Sequence, residues 1–541
     1  MTSILHSALE ASPLRHLSTS AQVAVLAVLA LLVAVILNVA QQLLLPKDKS
    51  RPPVVFHYFP IIGSAVTYGI DPITFFRDCK EKYGDVFTFV LLGRHVTVAL
   101  GQKGSNLVLN GKLSQVSAEE AYTHLTTPVF GKEVVYDVPN AVFMEQKRFV
   151  KVGLSVENFR VYVPQITDEV TSFVATDSQF EGLKSGKSVT VDIFKAMSEI
   201  TILTASRTLQ GKEVRENLDK SFADLYHDLD SGFTPINFVI PYLPLPNNFK
   251  RDRAQKKMSD FYKGIIAKRK EQGESEESDM ISALMSQSYK DGRKVTDTEV
   301  AHMMIALLMA GQHTSSATGA WALLRLASRS DVINDLYDEQ VRVYGDGNGG
   351  FRSLDYDTQK SSVPILDAVI KETLRLHPPI HSIMRKVKSA IPVPQSYAAP
   401  LSHKGANENR SYVIPKGHYV LAAPIYSQHD PNVWKEAAMF NPYRWFDKDG
   451  VVSAEAAEEG EKVDFGWGVV SSGANSPYLP FGAGRHRCIG EQFAYLQLGT
   501  IVANFVRTFD WRLETKFPDP DYQSMVVLPK APANIVLTSR A

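Results

Sequence analysis

The chain has 541 residues, 44% hydrophobic and 21% charged, which supplies a large core and excludes a disordered or low-complexity protein. Lysine plus arginine and aspartate plus glutamate number 58 each, so no basic excess points to a nucleic-acid partner. The 2 cysteines, Cys79 and Cys488, lie far apart, which argues against a disulfide framework and for a reducing compartment.

Val23 to Ala40 is an almost unbroken apolar run, extended by Leu43 to Leu45, and is long enough to span a bilayer. It exceeds the ~7–15 apolar residues of a signal peptide and has no small-x-small cleavage site with a polar exit, so it reads as a retained anchor. Lys47, Lys49 and Arg51 follow the run while only Arg15 closely precedes it, which places everything downstream in the cytosol. Residues 1–50 are expected to form tail, anchor and linker, and 51–541 the globular domain, with Arg51-Pro52-Pro53 as a stiff break. In that topology the sequon Asn409-Arg410-Ser411 goes unused.

Val86 to Val90 and Val96 to Val98 are β-type runs separated by Gly93, and they predict a small sheet beside a mainly helical body. Tyr122 to Gly131, Val135 to Asp137 and Met144 to Phe149 read, by themselves, as an amphipathic loop and a solvated basic helix face. Gly232 to Phe238, followed by Pro241, Pro244 and Pro246, is too proline-rich for a helix interior. Lys268 to Asp279 turns from basic to acidic with no apolar side chain, which predicts exposed surface.

Thr296-Asp297-Thr298-Glu299 is a capping box opening a helical pattern to about Ser328, roughly 48 Å long. At its middle stands Ala310-Gly311-Gln312-His313-Thr314-Ser315, where Gly311 costs about 1 kcal/mol relative to alanine and gives the helix room to bulge. His313, without other context, reads as a satisfied core histidine. Gly345 to Gly350 satisfies Gly-x-Gly-x-x-Gly but lacks the strand–turn–helix setting of a dinucleotide site, so it reads as a flexible loop. Glu372 and Arg375 share one face of a helix that Pro378-Pro379 ends; an ordinary pair of this kind is solvated and contributes a few tenths of a kcal/mol.

Ser476 to Gly490 holds the decisive pattern. Phe481, Gly484, His486, Cys488 and Gly490 match Phe-x-x-Gly-x-[Arg/His]-x-Cys-x-Gly, which resembles the haem-binding loop of the cytochrome P-450 family. Glycines let the backbone lie close to a flat porphyrin, Phe481 shields the sulfur, and flanking cations favour thiolate. A thiolate axial ligand favours O–O cleavage. The resemblance implies a mainly α fold with small β-sheets behind a single N-terminal transmembrane helix, and haem b with Cys488 as the iron ligand.

The segments from Tyr122 to Phe149 resemble the fungal form of the sterol 14α-demethylase branch. That resemblance implies that Tyr122, Tyr136, Lys147 and Arg385 bind haem propionates, although the commoner family pattern Trp-x-x-x-Arg would align Met144 with the tryptophan and favour Arg148 over Lys147. It implies that Leu125, Thr126, Phe130, Phe233, Phe238, Gly311, His381, Ser382, Ile383 and Met525 line the sterol pocket, and that His313 and Thr314 deliver protons during oxygen activation. Glu372, Arg375 and Arg444 would lock together behind the haem loop. The implied reaction removes the 14α-methyl group of lanosterol or its 24-methylene analogue, eburicol, by successive oxidations with release of formate, in ergosterol synthesis. No segment remains for a flavin or NADPH module, so electrons would come from NADPH through a separate NADPH–cytochrome P-450 reductase, at the endoplasmic reticulum membrane; azoles would be the inhibitors. Two rivals are a related membrane-anchored monooxygenase acting on another lipid, and a haem- or sterol-sensing protein without catalysis. The Tyr122–Tyr136 and Phe233–Phe238 segments argue against the first, and the Gly311-His313-Thr314 motif against the second.

Overall fold

The computed structural model describes residues 18–218, 220–234, 236–272, 279–394, 411–447, 462–473 and 475–540. Arg15, the sequon residues Asn409 and Arg410, and positions 273–278 of the charged stretch lie outside them.

The apolar run forms helix α1, Thr19–Leu44, N-capped by Ser18 and with no buried residue. It is long and apolar enough to cross a membrane. Two amides on its C-terminal half fasten it to the start of the globule. Asn38 Nδ2 donates to the carbonyls of His57 and Tyr58 (2.8 and 2.9 Å), while Gln42 donates to the His57 carbonyl and accepts from the His57 amide (2.7 and 3.1 Å). The chain after Pro52 joins the sheet edge, since Val55 N donates to Thr88 O at 2.7 Å and Thr88 N to Pro53 O at 2.8 Å. The proline pair thus lies between two bonded segments.

The predicted β-runs are strands β1 (Val86–Leu91) and β2 (Arg94–Ala99), paired antiparallel through a turn at Gly93. They belong to a five-stranded sheet completed by β3 (Val116–Ser117), β4 (Ile383–Val387) and β5 (Tyr419–Ala422), in the spatial order β1-β2-β5-β4-β3. Only the β2–β5 pairing is parallel. A three-stranded sheet, Phe509–Leu513, Asn534–Ser539 and Val189–Asp192, closes the other end.

Between the sheets lies the helical body. Helix α2 (Glu119–Phe130) and α3 (Asn140–Val152) carry the Tyr122 and Lys147 segments. Helices α4 (Lys220–Asp230) and α5 (Pro246–Gln272) flank the proline-rich connection, which forms turns as its composition dictates. Helix α6, Asp297–Ala327, starts at the predicted capping box with both reciprocal bonds formed, and it is buried over most of its length. It remains α-helical through Gly311, so the expected bulge is absent. A Cβ at Gly311 would meet only Leu209 Cδ1 at 3.7 Å, an ordinary contact, so no neighbour presses the helix out of register there. Helix α7, Pro364–Leu376, ends before Pro378, and α8, Glu491–Thr508, follows the cysteine loop.

The surface expected for Lys268 to Asp279 holds at Lys268, Lys270, Glu271 and Gln272 and is corrected at Arg269 and Asp279. Arg269 lies inside at 7% exposure, with a bidentate pair to buried Asp279 (2.8 and 2.7 Å) and a third bond to Glu213. The buried Arg269 is tolerated there because Asp279 and Glu213 neutralise it.

Candidate active site

The cysteine loop is built by short-range hydrogen bonds and one close backbone approach. Cys488 N donates to Phe481 O at 2.9 Å, and Arg487 N to Gly484 O at 3.0 Å. Gly484 has φ +66°, and a Cβ there would stand 2.6 Å from Leu109 O and from Asn110 Oδ1. That glycine is therefore needed for contact with neighbouring backbone, a reason the sequence alone assigned to porphyrin. The Phe481 ring packs against Tyr495, with centroids 5.5 Å apart.

Cys488 is exposed, yet burial is the largest influence on its thiol and pushes its pKa up. The two observations agree if the sulfur borders an internal cavity. Ala310 is likewise exposed in the middle of the otherwise buried α6, and Gly311, His313 and Thr314 beside it are half-buried. Lys147 and Arg487 draw the thiol the other way but less strongly, and burial holds His486 far below its usual pKa, hence neutral. The expected direction holds, since Lys147 and Arg487 both favour the thiolate, while burial of the sulfur acts against them.

Around the loop stand two buried cations, Lys147 and Arg385. Lys147, 6% exposed, donates to Arg485 O and Arg487 O (3.1 and 2.8 Å) and lies 3.8 Å over the Trp467 ring. Burial draws its pKa down to about 7. Arg148, in contrast, is on the surface facing Glu145. Arg385, 3% exposed on β4, donates only to its neighbour's carbonyl, Met384 O, at 2.8 Å. Neither Lys147 nor Arg385 forms an ion pair with a carboxylate among the described residues. Tyr122 Oη accepts from Met384 N at 2.8 Å, and its ring stacks on Tyr136 at 5.4 Å; Tyr136 in turn lies 6.1 Å from the His486 ring. Two buried cations, two tyrosines and a cavity-bordering sulfur fit a planar group that brings two carboxylates and an iron. The donor chemistry suits haem.

The remaining predicted residues divide into clusters. On α2, Thr126 is buried and donates to Tyr122 O, Leu125 is half-buried, and Phe130 meets Phe233 edge-on at 6.1 Å. Phe238 sits farther along, 5.2 Å from the His124 ring. His381 Nδ1 lies 2.9 Å from Ser382 Oγ, and its ring meets Tyr68 and Tyr522; burial pushes its pKa down to about 4, so it stays neutral. Ile383 opens β4 and reaches within 3.4 Å of where a Gly482 Cβ would be. Met525 is half-buried in the loop after the strand Pro520–Asp521, and Val527 N ties that loop to Pro379 O at 3.0 Å.

Sequence reasoning missed several partners. His313 Nε2 lies 3.1 Å from Asp230 Oδ1, at the end of α4, and its ring lies over Tyr226. Tyr226 Oη donates to Gln312 at 2.6 Å, and Gln312 to Ser198 O. Trp467, the cation–π partner of Lys147, carried no signal either. Asp230 lies in a polar amphipathic helix, and no spacing rule links it to His313. The Glu372 lock was anticipated only through the family resemblance: Glu372 and Arg375 are both fully buried, and Arg444 Nε donates to the same carboxylate at 3.0 Å.

A mainly helical body with small sheets, and a cysteine loop flanked by buried cations and tyrosines, is the arrangement of a thiolate-ligated haem protein. The chain belongs to the cytochrome P450 family, whose profile matches residues 52–537. Its cofactor is therefore haem with an axial thiolate. The chain is 66% identical to a lanosterol 14-alpha demethylase of Mycosarcoma maydis, over 100% of this chain and 97% of that one. It is 51% identical to the lanosterol 14-alpha demethylase erg11 of Schizosaccharomyces pombe (91% and 94% covered) and 51% identical to an eburicol 14-alpha-demethylase of Uncinula necator (93% of each). A solved retinoic-acid-bound cyanobacterial CYP120A1 shares the fold with a TM-score of 0.71 at 20% identity, over 91% of this chain and 100% of that one.

Proposed function

We propose that this protein is a sterol 14α-demethylase that removes the 14α-methyl group of lanosterol or eburicol by successive oxidations and releases it as formate. The single observation that supports this most strongly is the 66% identity, over the whole chain, to a relative bearing that activity in its name. The apolar α1 and the cationic Lys47, Lys49 and Arg51 after it support a single-pass anchor in the endoplasmic reticulum with residues 51–541 in the cytosol, where an NADPH-dependent reductase would supply electrons.

Haem on a thiolate supplies oxygen activation when bound. In this reading Cys488 is the iron ligand, held by its amide bond to Phe481 O. Lys147 and Arg385 supply the charge for the two propionates, and Tyr122 and Tyr136 supply hydroxyls and packing. His486 adds packing against Phe143 and Tyr136, not charge. Thr314 Oγ donates to Ala310 O at 2.8 Å, which leaves the oxygen free to accept a further hydrogen bond. In this reading Asp230, 41% exposed, and His313, whose Nε2 lies 3.1 Å from it, would deliver protons from solvent towards Thr314. The apolar residues on α2, the connection after α4, β4 and the Met525 loop orient a rigid four-ring substrate and exclude water.

Thr314→Ala removes the hydroxyl and leaves the rest of the wall in place. Sterol binding should persist while product formed per NADPH falls about tenfold or more, with the difference recovered as hydrogen peroxide. Unchanged coupling would assign the relay to His313 and ordered water alone. The function itself is tested by reconstituting the full chain with a reductase, NADPH and either sterol: 14-demethylated product is expected, and no turnover of either sterol, with turnover of another lipid, would replace the reading.

A further inference from the structure

Arg94, the first residue of β2, is a cation set among the rings of Phe238, Tyr419 and His124, with a hydrogen bond to the Tyr419 hydroxyl. Its guanidinium lies 4.4 Å over the Phe238 ring and 5.1 Å over the Tyr419 ring, and Nη1 is 3.2 Å from His124 Nε2. Among the described residues it pairs with no carboxylate. Phe238 belongs to the connection between α4 and α5, and that connection is built as a unit. Asn237 Nδ2 donates to Gly232 O and Asn248 Oδ1 (2.8 and 2.7 Å); Asn248 Nδ2 returns to Asn237 Oδ1 and to Leu243 O (3.1 and 2.8 Å). Arg251 Nη1 adds a bond to Pro241 O at 2.9 Å. Asn237, Asn248 and Arg251 are 1%, 3% and 1% exposed, so this polar knot fixes the connection firmly to α5.

On the opposite edge the attachment is of another kind. Phe238 is held there by ring and cation–π contacts to Arg94, His124 and Tyr419. Five residues earlier, Phe233 leans on Phe130 of the α2 wall. The connection is thus a flap fixed at α5 and fastened at its free edge to the β2–β5 corner, over the wall that would contact substrate. We propose that Arg94 is the latch of this flap, a residue that touches no substrate and sets the rates at which long apolar ligands pass into and out of the cavity. A latch that holds the closed edge in both free and loaded protein changes both rates together and leaves the equilibrium affinity alone.

The proposal rests on reading the cavity as a ligand site, and its test separates the two. Full-chain holoenzyme in phospholipid vesicles is mixed in stopped flow with lanosterol, with an imidazole bearing a long aromatic tail, and with plain imidazole. For the two long probes, R94Q should raise association and dissociation rates together by about threefold to tenfold, with the dissociation constant unchanged within about twofold. F238L should raise both rates as well, its dissociation constant being free to change because Phe238 also belongs to the expected pocket wall; R94K should fall between R94Q and the parent because an ammonium ion keeps charge over one ring, and plain imidazole should be unaffected. Rates for R94Q and F238L within about twofold of the parent, or R94K as fast as R94Q, would overturn the latch. If R94Q fails to load haem, F238L decides alone. A parent that shows no lanosterol signal, with the tailed imidazole still accelerated in the variants, would remove the sterol reading and keep the latch.

Discussion

Cys488→Ala is expected to abolish both the red-shifted Soret band of the reduced carbon monoxide complex and most of the bound haem. The cysteine amide would still bond to Phe481 O, so the loop should keep its course while losing the sulfur that borders the cavity. Burial opposes ionisation of the thiol while Lys147, Arg487 and the Gly490 amide favour it. Cys488 would hold the iron as its thiolate, and coordination would favour that form over the thiol. Without the thiolate, the cations and tyrosines around the propionates retain haem weakly, and any residual complex should absorb like a neutral-ligand haem. A mutant that kept the thiolate band would place the ligand elsewhere, and Cys79 is not a rival, since it is buried with its own thiol pKa pushed up to about 12 by desolvation.

Glu372→Ala should be nearly as damaging, although Glu372 is far from any reacting atom in this account. Its carboxylate accepts from Arg375 Nε and Nη2 (both 2.9 Å), Arg444 Nε (3.0 Å), Asn441 N (3.0 Å) and Trp445 Nε1 (3.1 Å). Arg375 passes the connection on to Gln428 O and Ala437 O, and Gln428 Oε1 accepts from Leu479 N at the start of the cysteine loop. Removing the carboxylate leaves a fully buried guanidinium without a counter-ion, a loss of about 3–5 kcal/mol against a total stability of about 5–15. Expression without haem, or a thermal midpoint lowered by many degrees, is the expected result. Glu372→Gln, which retains acceptors and shape, should lie between. A Glu372→Ala protein with the parent's haem content and midpoint would remove this lock from the account.

The elements most legible in the sequence were those fixed by local chemistry. The capping box at Thr296 placed the start of α6, the apolar run placed α1, and the valine-rich runs around Gly93 placed β1 and β2. Each depends on residues within a few positions of one another. The cysteine loop was legible because its pattern is dense, although two features within it were not foreseen: Gly484 also packs against the Leu109 backbone, and burial opposes the flanking cations at the thiol. Less legible was whatever depends on distant segments meeting. Arg269 looked like surface until Asp279 and Glu213 closed on it, His313 found Asp230 across the gap between two helices, and Arg94 found Phe238 from the far side of the sheet. Burial of a charge is decided by its partner, and a sequence states the charge without the partner. The anchor shows the same limit. Its apolarity was plain, whereas the Asn38 and Gln42 bonds to His57 could not be read from an Asn and a Gln in a hydrophobic run.

The central claim is that this chain removes a sterol methyl group as formate, and the most direct measurement follows that carbon. Full-length protein, reductase and NADPH are incubated with lanosterol carrying isotopic label only in the 14α-methyl group, and formate and sterol are counted together. The account predicts one labelled formate for each 14-demethylated sterol formed. Demethylated sterol without labelled formate, or hydroxylated sterol that keeps its label through complete NADPH consumption, would contradict it.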